Sequence, residues 1–168
     1  MSLKVLSVAS EAAPLVKTGG LADVAGALPA ALAAQGVEVT TLLPGYPSVL
    51  AKLGPKPRRA VHKWDALLGT PARLLTGTVG DHPLLVLDAP ALFNREGGPY
   101  VDASGRDWDD NWRRFAAFAR AAADIAGGAI KGRSFDLVHA HDWQSGLLPA
   151  YLRLAPQAGG RTVPSVFT

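Results

Sequence analysis

The segment LKVLSVASEAAPLVKTGGLADVAGALPAALAAQ, residues 3–35, establishes the first unit of the fold. Its apolar run at residues 3–9 is typical of a buried strand, and its alanine- and leucine-rich run at residues 21–35 is typical of a helix. The turn between them contains Lys17 and the pair Gly19-Gly20. A helix N-terminus offers free N–H groups, glycine lets a ligand approach the backbone, and lysine adds a charge. The turn is a candidate anion site, although a tight turn with a solvated lysine has the same pattern.

Strand and helix signals alternate along the rest of the chain, as they do in a parallel sheet covered by helices. Residues 46–80 are less regular, apart from an alternation at 72–79 that favours an antiparallel strand or hairpin. The other predicted strands are at residues 37–43, 83–88, 135–140 and 162–168, and a short helix is predicted at 147–154. No internal repeat or low-complexity linker interrupts the pattern, so we predict one α/β domain over residues 1–168.

The longest predicted helix has Asp107 as its N-cap and ends at Gly127-Gly128. Trp108, Trp112 and Phe115 recur along it at helical spacing. Aromatic residues at this spacing are more often core than ligand platform, so we predict that this face of the helix is buried.

The composition indicates a globular protein, with 168 residues of which 48% are hydrophobic and 18% are charged. Cysteine is absent, which excludes disulfides and thiolate metal sites. We recognise neither a membrane span nor a signal peptide, and we therefore expect a cytoplasmic protein without membrane partners.

The net charge of +3 is concentrated in part in a basic run between residues 52 and 63, formed by Lys52, Lys56, Arg58, Arg59 and Lys63. Prolines break the run, and Trp64 is the only aromatic residue near it. We predict a solvated loop and no nucleic-acid partner.

Three polar loops follow predicted strands, at residues 10–20, 89–107 and 141–146. Ligands of open parallel sheets bind outside the carboxyl ends of the strands. If these strands are parallel, Lys17, Tyr100, His141 and Asp142 share one rim. A cation, a carboxylate and an aromatic ring together suit a phosphorylated ligand with hydroxyl groups, such as a nucleotide sugar.

Other site classes fit poorly. The dinucleotide and P-loop fingerprints are missing, and Ser145 lacks the glycines of a nucleophile elbow. His139 and His141 could face one side of a strand as zinc ligands do, but no further ligand cluster accompanies them. We expect no metal and no cofactor, a hydrogen-bonded His139 in the sheet, and either a chemical role or a helix-capping role for Asp142.

At this level of detail the chain resembles the family of bacterial glycogen synthases and plant starch synthases. The motif KTGGLADV at residues 17–24 carries the resemblance, together with GALP at 26–29 and LLP at 42–44. Further along, the matching motifs are REGGPY at residues 95–100, Asp110-Asn111 with Arg114-Phe115, HAHDWQ at 139–144 and SVFT at 165–168. Their order and spacing hold across nearly the whole chain.

The resemblance implies a three-layer Rossmann-like domain with a mostly parallel sheet, the N-terminal half of a GT-B-type glycosyltransferase. Such enzymes are retaining and transfer glucose from ADP-glucose to the non-reducing end of an α-1,4-glucan such as glycogen. The substrates lie between two domains. A counterpart of the C-terminal nucleotide-binding domain is absent from this sequence, so we expect the chain to be inactive alone.

The resemblance also implies roles for the polar loops. Lys17 would neutralise the diphosphate, and Gly19 and Gly20 would give the phosphates or glucose close access to the backbone. Asp142 would support the positive charge that develops at the anomeric carbon. Lys17 and Asp142 are therefore the expected catalytic residues.

Other members of the site have binding roles by the same resemblance. Tyr100 and Trp143 would shape the sugar pocket, with Asp23 hydrogen-bonding nearby. His141 would orient Asp142 or be structural, and Glu11 could meet a sugar hydroxyl.

Two further hypotheses stay open at this point. One is a non-catalytic glucan-binding module, which would not need Lys17 or Asp142. The other is an unrelated nucleotide-binding domain of Rossmann type, which would bind unrelated nucleotides equally and no glucan.

Overall fold

The computed structural model describes residues 2–53, 59–155 and 160–168. Within them the strands form one sheet of seven in the order β3-β4-β5-β2-β1-β6-β7. Neighbours from β5 to β7 are parallel, whereas β3 and β4 are antiparallel additions at one edge. The strands are β1 (Leu3–Val8), β2 (Val37–Pro44), β3 (Ala60–Leu67), β4 (Thr70–Val79), β5 (His82–Asp88), β6 (Leu137–Ala140) and β7 (Ser165–Phe167).

Helices connect the parallel strands. The described helices are α1 (Gly20–Ala33), α2 (Pro47–Lys52), α3 (Pro90–Phe93), α4 (Asn111–Asp124) and α5 (Leu148–Leu154), with a π turn at Ile125–Ala129 and a 3₁₀ turn at Trp143–Ser145. The β1-to-β2 and β5-to-β6 connections run in opposite directions across the sheet. Because such crossovers are right-handed, α1 covers one face and α4 the other. The mostly parallel α/β architecture predicted from the alternation is confirmed.

The core lies where α4 packs on the sheet. From Arg114 to Asp124 every residue of α4 is buried except Arg120, and eight of these are alanines or phenylalanines. Small alanine side chains let the helix approach the sheet closely, while Phe115 and Phe118 fill the remaining space. Leu42 and Leu85 on the central strands have no exposed surface. Burial on both faces explains why the central strands have nearly continuous apolar sequences.

The strand order reverses direction at β1. Its two neighbours are β2, which follows it in the chain, and β6, which follows the crossover through α4. The carboxyl ends of β1 and β6 therefore flank the topological switch point, where open α/β sheets bind ligands. The loops that contain Lys17 and Asp142 begin at these two ends.

The start of the long helix differs from the prediction. Helix α4 begins at Asn111 with Asp110 at the N-cap, and Asp107 instead lies in an isolated bridge with Val101. Trp108 therefore precedes the helix, and Trp112 lies in its first turn, whereas Phe115 one turn further on is buried as predicted. Trp112 is 71% exposed, so the prediction that it packs in the core was wrong.

Two elements of the region predicted to be irregular are regular. Pro47 stands in the first turn of α2, where a missing N–H has no cost, rather than acting as a breaker. Strand β3 pairs with β4, so Lys63 is part of a strand instead of a solvated loop. Lys52 ends α2 and donates to the carbonyl oxygens of Pro14 and Leu15 at 2.6 and 3.0 Å.

In the rest of the predicted basic loop, residues 54–58 with Lys56 and Arg58 lie outside the described residues, and Arg59 is exposed just before β3. The other predicted strands and helices exist, with bounds that differ by one to a few residues.

Candidate functional site

The lysine–glycine turn joins β1 to α1 and is exposed at Lys17, Gly19 and Gly20. Gly19 is the N-cap of α1, and no side chain caps the first turn of this helix. Its N–H groups and dipole therefore face the turn. The Nζ atom of Lys17 lies 2.7 Å from each carboxylate oxygen of Asp23, one turn into the helix. Both side chains are more than half exposed, so the pair is open to a competing anion.

Gly26 fixes the distance between the turn and α1. A Cβ at this position would lie 2.7 Å from the carbonyl oxygen of Ala13. Because Ala13 also donates its N–H to the carbonyl oxygen of Ala22 at 2.9 Å, the loop packs directly on the helix backbone. Close packing against Ala13 thus explains why a glycine occupies this position of the GALP motif.

A buried carboxylate connects this turn to the loop after β5. Glu11 is 2% exposed and accepts hydrogen bonds from the backbone N–H of Thr18, from the Thr18 hydroxyl at 2.6 Å and from the Tyr100 hydroxyl at 2.5 Å. Since Tyr100 donates to Glu11, the Ser10 hydroxyl donates to Tyr100 over 2.7 Å. Burial, together with the bond to Glu11, raises the pKa of the Tyr100 hydroxyl, which therefore stays a donor at neutral pH.

Aromatic contacts extend the network to the loop after β6. The ring centroids of Tyr100 and Trp143 are 5.9 Å apart, and Trp143 meets Phe115 edge to face at 5.1 Å. Trp143 is 53% exposed and offers one face to solvent at the rim of the sheet. A tryptophan held by two rings and open on one side is suited to contact a sugar.

Two arginines fix the loop that contains Tyr100. Arg114 is 1% exposed and donates to the carbonyl oxygens of Leu92 and Pro99 at 2.7 and 2.9 Å. Arg95 pairs with Asp110 through two bonds of 2.6 and 2.5 Å, and this partner lowers the pKa of the Asp110 carboxyl. The loop is thus anchored on α3 and on the start of α4.

Asp142 has an unusual backbone, with φ +58° and ψ 178°. Only glycine adopts this region without strain, so neighbouring bonds must hold the residue there. Its N–H donates to the carbonyl oxygen of Thr168 at 2.7 Å, and its own carboxylate accepts the N–H of Trp143 at 2.6 Å. Strained backbone of this kind clusters at functional sites. Asp142 caps the 3₁₀ turn Trp143–Ser145 and not helix α5, whose N-cap is Leu147, and the Asp142 side chain remains exposed.

The two histidines of the HAHDWQ motif stack at the end of β6, with ring centroids 3.8 Å apart. His141 is buried between the Ser7 hydroxyl, 3.1 Å from its Nε2, and the Thr168 hydroxyl, 3.4 Å from its Nδ1. Burial, and secondly the charge of His139, lower the pKa of His141 to about 4. His141 is therefore an uncharged side chain that supports the backbone next to Asp142. His139 bonds the Thr168 hydroxyl at 3.0 Å, as predicted for a residue hydrogen-bonded in the sheet.

The predicted site residues thus form three connected groups at one edge of the sheet. Lys17 pairs with Asp23, Glu11 meets Tyr100 and through it Trp143, and His141 precedes Asp142. Sequence reasoning missed Thr18, Arg114 and Thr168 as supports of these groups, although all three lie inside quoted motifs. Their position within the motifs was the available signal.

The described residues include no cluster of three or more histidine, aspartate or glutamate side chains placed to hold a metal ion. Among the helices described, none is both long and apolar enough to cross a bilayer.

The sheet order and the loops at its switch point define an α/β domain of the GT-B glycosyltransferase class. The chain belongs to the family of the starch synthase catalytic domain, whose family model matches residues 4–168.

Relatives and a solved structure agree with this assignment. The glycogen synthase of Novosphingobium aromaticivorans is 70% identical over 168 residues, which are 100% of this chain and 34% of that protein. Glycogen synthase 1 of Rhizobium meliloti is 55% identical over 165 residues, covering 98% and 34% of the two chains. The catalytic domain of starch synthase IV from Arabidopsis thaliana, bound to ADP and acarbose, superposes with a TM-score of 0.74 at 30% identity and covers 99% of this chain and 34% of its own. The chain therefore spans about a third of the length of these relatives.

Proposed function

We propose that this chain is the acceptor-side domain of a glycogen synthase, which transfers glucose with retention from ADP-glucose to the non-reducing end of an α-1,4-glucan. The observation that carries the proposal is the placement of the Lys17 turn and the Asp142 loop on adjacent parallel strands at the switch point. The names of the relatives and the ADP bound to the Arabidopsis protein support it.

In this proposal the two loops act on opposite parts of the donor. Lys17 and the free N–H groups at Gly19 and Gly20 balance the diphosphate as ADP departs. The exposed carboxylate of Asp142 supports the positive charge that develops at the anomeric carbon of glucose. Because the strained backbone of Asp142 is held by Thr168 and Trp143, the carboxylate has one preferred position.

The proposed binding residues surround these two groups. Trp143 offers its open face to a glucose ring, and the loop that contains Tyr100 bounds the sugar pocket. Asp23 holds Lys17 before the donor arrives, and His141 orients Asp142 without carrying charge.

We further propose that a second domain is needed to hold the nucleotide and that the 168-residue chain alone transfers little glucose. The share of the relatives that the chain spans supports this view. Nucleobase preference would then be set outside this chain. The absence of cysteine suits the reducing cytoplasm, where we place the reaction.

A two-dimensional amide NMR titration of the chain with ADP-glucose tests the half-site. We expect localised shifts at Gly19 and Gly20 and around Asp142, and loss of the Gly19 and Gly20 shifts in Lys17→Ala. Lys63→Ala, an exposed lysine on β3, is the matched control and should leave the shifts unchanged.

Two other outcomes would favour the remaining hypotheses. Binding of glycogen that persists after loss of both the Lys17 and Asp142 side chains favours a non-catalytic glucan-binding module. Equal shifts with unrelated nucleotides and none with maltotriose favour a nucleotide-binding domain of another kind.

A further inference from the structure

The Glu11 carboxylate has no free oxygen in its present arrangement. Its Oε2 accepts the N–H of Thr18, and its Oε1 accepts two hydroxyl hydrogens, from Thr18 and Tyr100. A buried carboxylate is costly unless donors surround it, and charge-assisted bonds of this kind are among the strongest in proteins. Because Glu11 is only 2% exposed beneath these donors, a sugar hydroxyl could reach the carboxylate only if Thr18 or Tyr100 moved. The hydrogen bonds of Glu11 therefore favour a role within the loops over the expected contact with a sugar hydroxyl.

Thr18 is the residue through which this carboxylate acts on the turn. It lies between Lys17 and Gly19, and Glu11 bonds both its backbone and its side chain. The two glycines that follow add no side-chain anchor, and a Cβ at either one would meet nothing within 4 Å. Without Thr18 held in place, the turn would gain freedom that an anion would have to remove on binding.

Tyr100 makes the same carboxylate a link between loops. Its hydroxyl bonds Glu11, and its ring lies 5.9 Å from that of Trp143 in the Asp142 loop. Arg114 and Asn111 hold the Tyr100 loop from the side of α4, with Asn111 donating to the carbonyl oxygen of Tyr100 at 2.8 Å. The turn after β1 is therefore supported by the rigid core through Glu11.

We propose that Glu11 is a positioning residue: its carboxylate fixes the turn at residues 17–20 through Thr18, with Tyr100 as its second partner, and it does not bind sugar. The inference rests on the proposed function in taking this turn as the phosphate site. That Glu11 fixes the turn can be tested whether or not the turn binds phosphate.

The test compares Glu11→Gln, Thr18→Val and Thr18→Ser with the unaltered 168-residue chain. Amide hydrogen exchange at Thr18 and Gly19 reports whether the turn is held, and ADP titrations report its consequence. We expect Glu11→Gln to speed exchange and weaken ADP binding by about ten- to a hundredfold, because bonds to a charged group are lost. Thr18→Val should have a smaller effect of the same kind, and Thr18→Ser, which keeps the hydroxyl, should restore both quantities.

Matched controls separate the turn from general stability. Glu38→Gln removes an exposed carboxylate at the amino end of β2, on the edge of the sheet opposite the candidate site. Thr78→Val removes an exposed hydroxyl on β4. Neither should change exchange at Thr18. If Glu11→Gln fails to fold, the Thr18→Val and Thr18→Ser pair decides the question.

Several results would overturn the proposal. Unchanged exchange at Thr18 in both Glu11→Gln and Thr18→Val would show that Glu11 does not hold the turn. Faster exchange with unchanged ADP affinity would make the contact merely structural. Loss of maltotriose binding in Glu11→Gln with normal exchange would make Glu11 a sugar ligand. If the unaltered chain does not bind ADP, the nucleotide part of the proposed function fails, while exchange at Thr18 still decides whether Glu11 fixes the turn.

Discussion

The backbone N–H of Asp142 donates a 2.7 Å hydrogen bond to the carbonyl oxygen of Thr168, which ties the loop after β6 to the end of β7. This bond holds a non-glycine residue at φ +58°. The same threonine contacts both histidines of the motif through its hydroxyl, so one residue supports the backbone and the side chains around the candidate catalytic aspartate.

The strain at Asp142 predicts opposite effects of glycine and alanine. Both variants lose the carboxylate bond to Trp143, but Asp142→Gly relieves the backbone whereas Asp142→Ala keeps the strain, so we expect the glycine variant to be more stable by about 1–2 kcal/mol. Urea unfolding measures the difference. At exposed Ala27 in the middle of α1, glycine should instead destabilise by about 1 kcal/mol. Equal stability of the two Asp142 variants would contradict the strain.

His141 predicts a loss of stability in mild acid. Its pKa is about 4 in the fold against 6.5 when unfolded, so the unfolded chain binds more protons between these values. The stabilisation from neutral His141 is complete above pH 6.5 and is lost as pH falls toward 4. After allowance for solvent access it amounts to about 2 kcal/mol.

Unfolding of the unaltered chain and of His141→Gln, measured between pH 7 and 4, isolates this contribution from that of His139, whose pKa burial also lowers. The variant should have a flatter profile. Parallel profiles would mean that His141 does not supply the pH dependence.

The ion pair of Lys17 and Asp23 predicts competition with anions. Since the pair is exposed, its net strength is at most about 1 kcal/mol, and Asp23→Asn should strengthen ADP binding by up to about fivefold. Calorimetric titration at two salt concentrations measures this, and the gain should shrink at high salt. Weaker binding in Asp23→Asn would identify Asp23 as a direct ligand contact instead of a counter-ion.

Replacing Arg114 should lower the stability of the fold strongly, although Arg114 contacts no proposed substrate. Arg114→Leu leaves the carbonyl oxygens of Leu92 and Pro99 without their donor, and we expect a loss of about 3 kcal/mol. Its neighbour Arg113, which is exposed and donates to the carbonyl oxygen of Leu68, is the control and should lose less than about 1 kcal/mol as Arg113→Leu. Similar melting temperatures for the two variants would contradict the anchoring role.

The local signals of the sequence predicted the parallel strands and helices well, because apolar runs and alanine-rich stretches are local properties. They failed where tertiary structure overrides them. Residues 46–80 were predicted to be less regular, yet Pro47 begins a helix there, and β3 at the sheet edge has only one buried residue, so its apolar pattern is weak. Trp112 lies in the first turn of α4 and is exposed, although its spacing from Phe115 is that of a buried helix face.

For the candidate site, too, the local signals predicted the loops and their motifs but not the contacts between distant residues. The loops at the carboxyl ends of β1, β5 and β6 followed from topology, and the motifs pointed to Lys17, Tyr100 and Asp142. The contact of Glu11 with Tyr100 joins residues 89 positions apart, and no local pattern predicts such a bond. The same holds for the contact of Asp142 with Thr168.

The most direct test of the proposed function is a glucose-transfer assay on a chimera in which this chain replaces the 168 matching residues of the Novosphingobium aromaticivorans glycogen synthase. We expect transfer from ADP-glucose to glycogen in the chimera and little transfer by the chain alone. Lys17→Ala and Asp142→Asn should each lower kcat/KM by about 10²–10³, whereas Lys63→Ala should not change it. Near-normal transfer after loss of Lys17 or Asp142 would contradict the account.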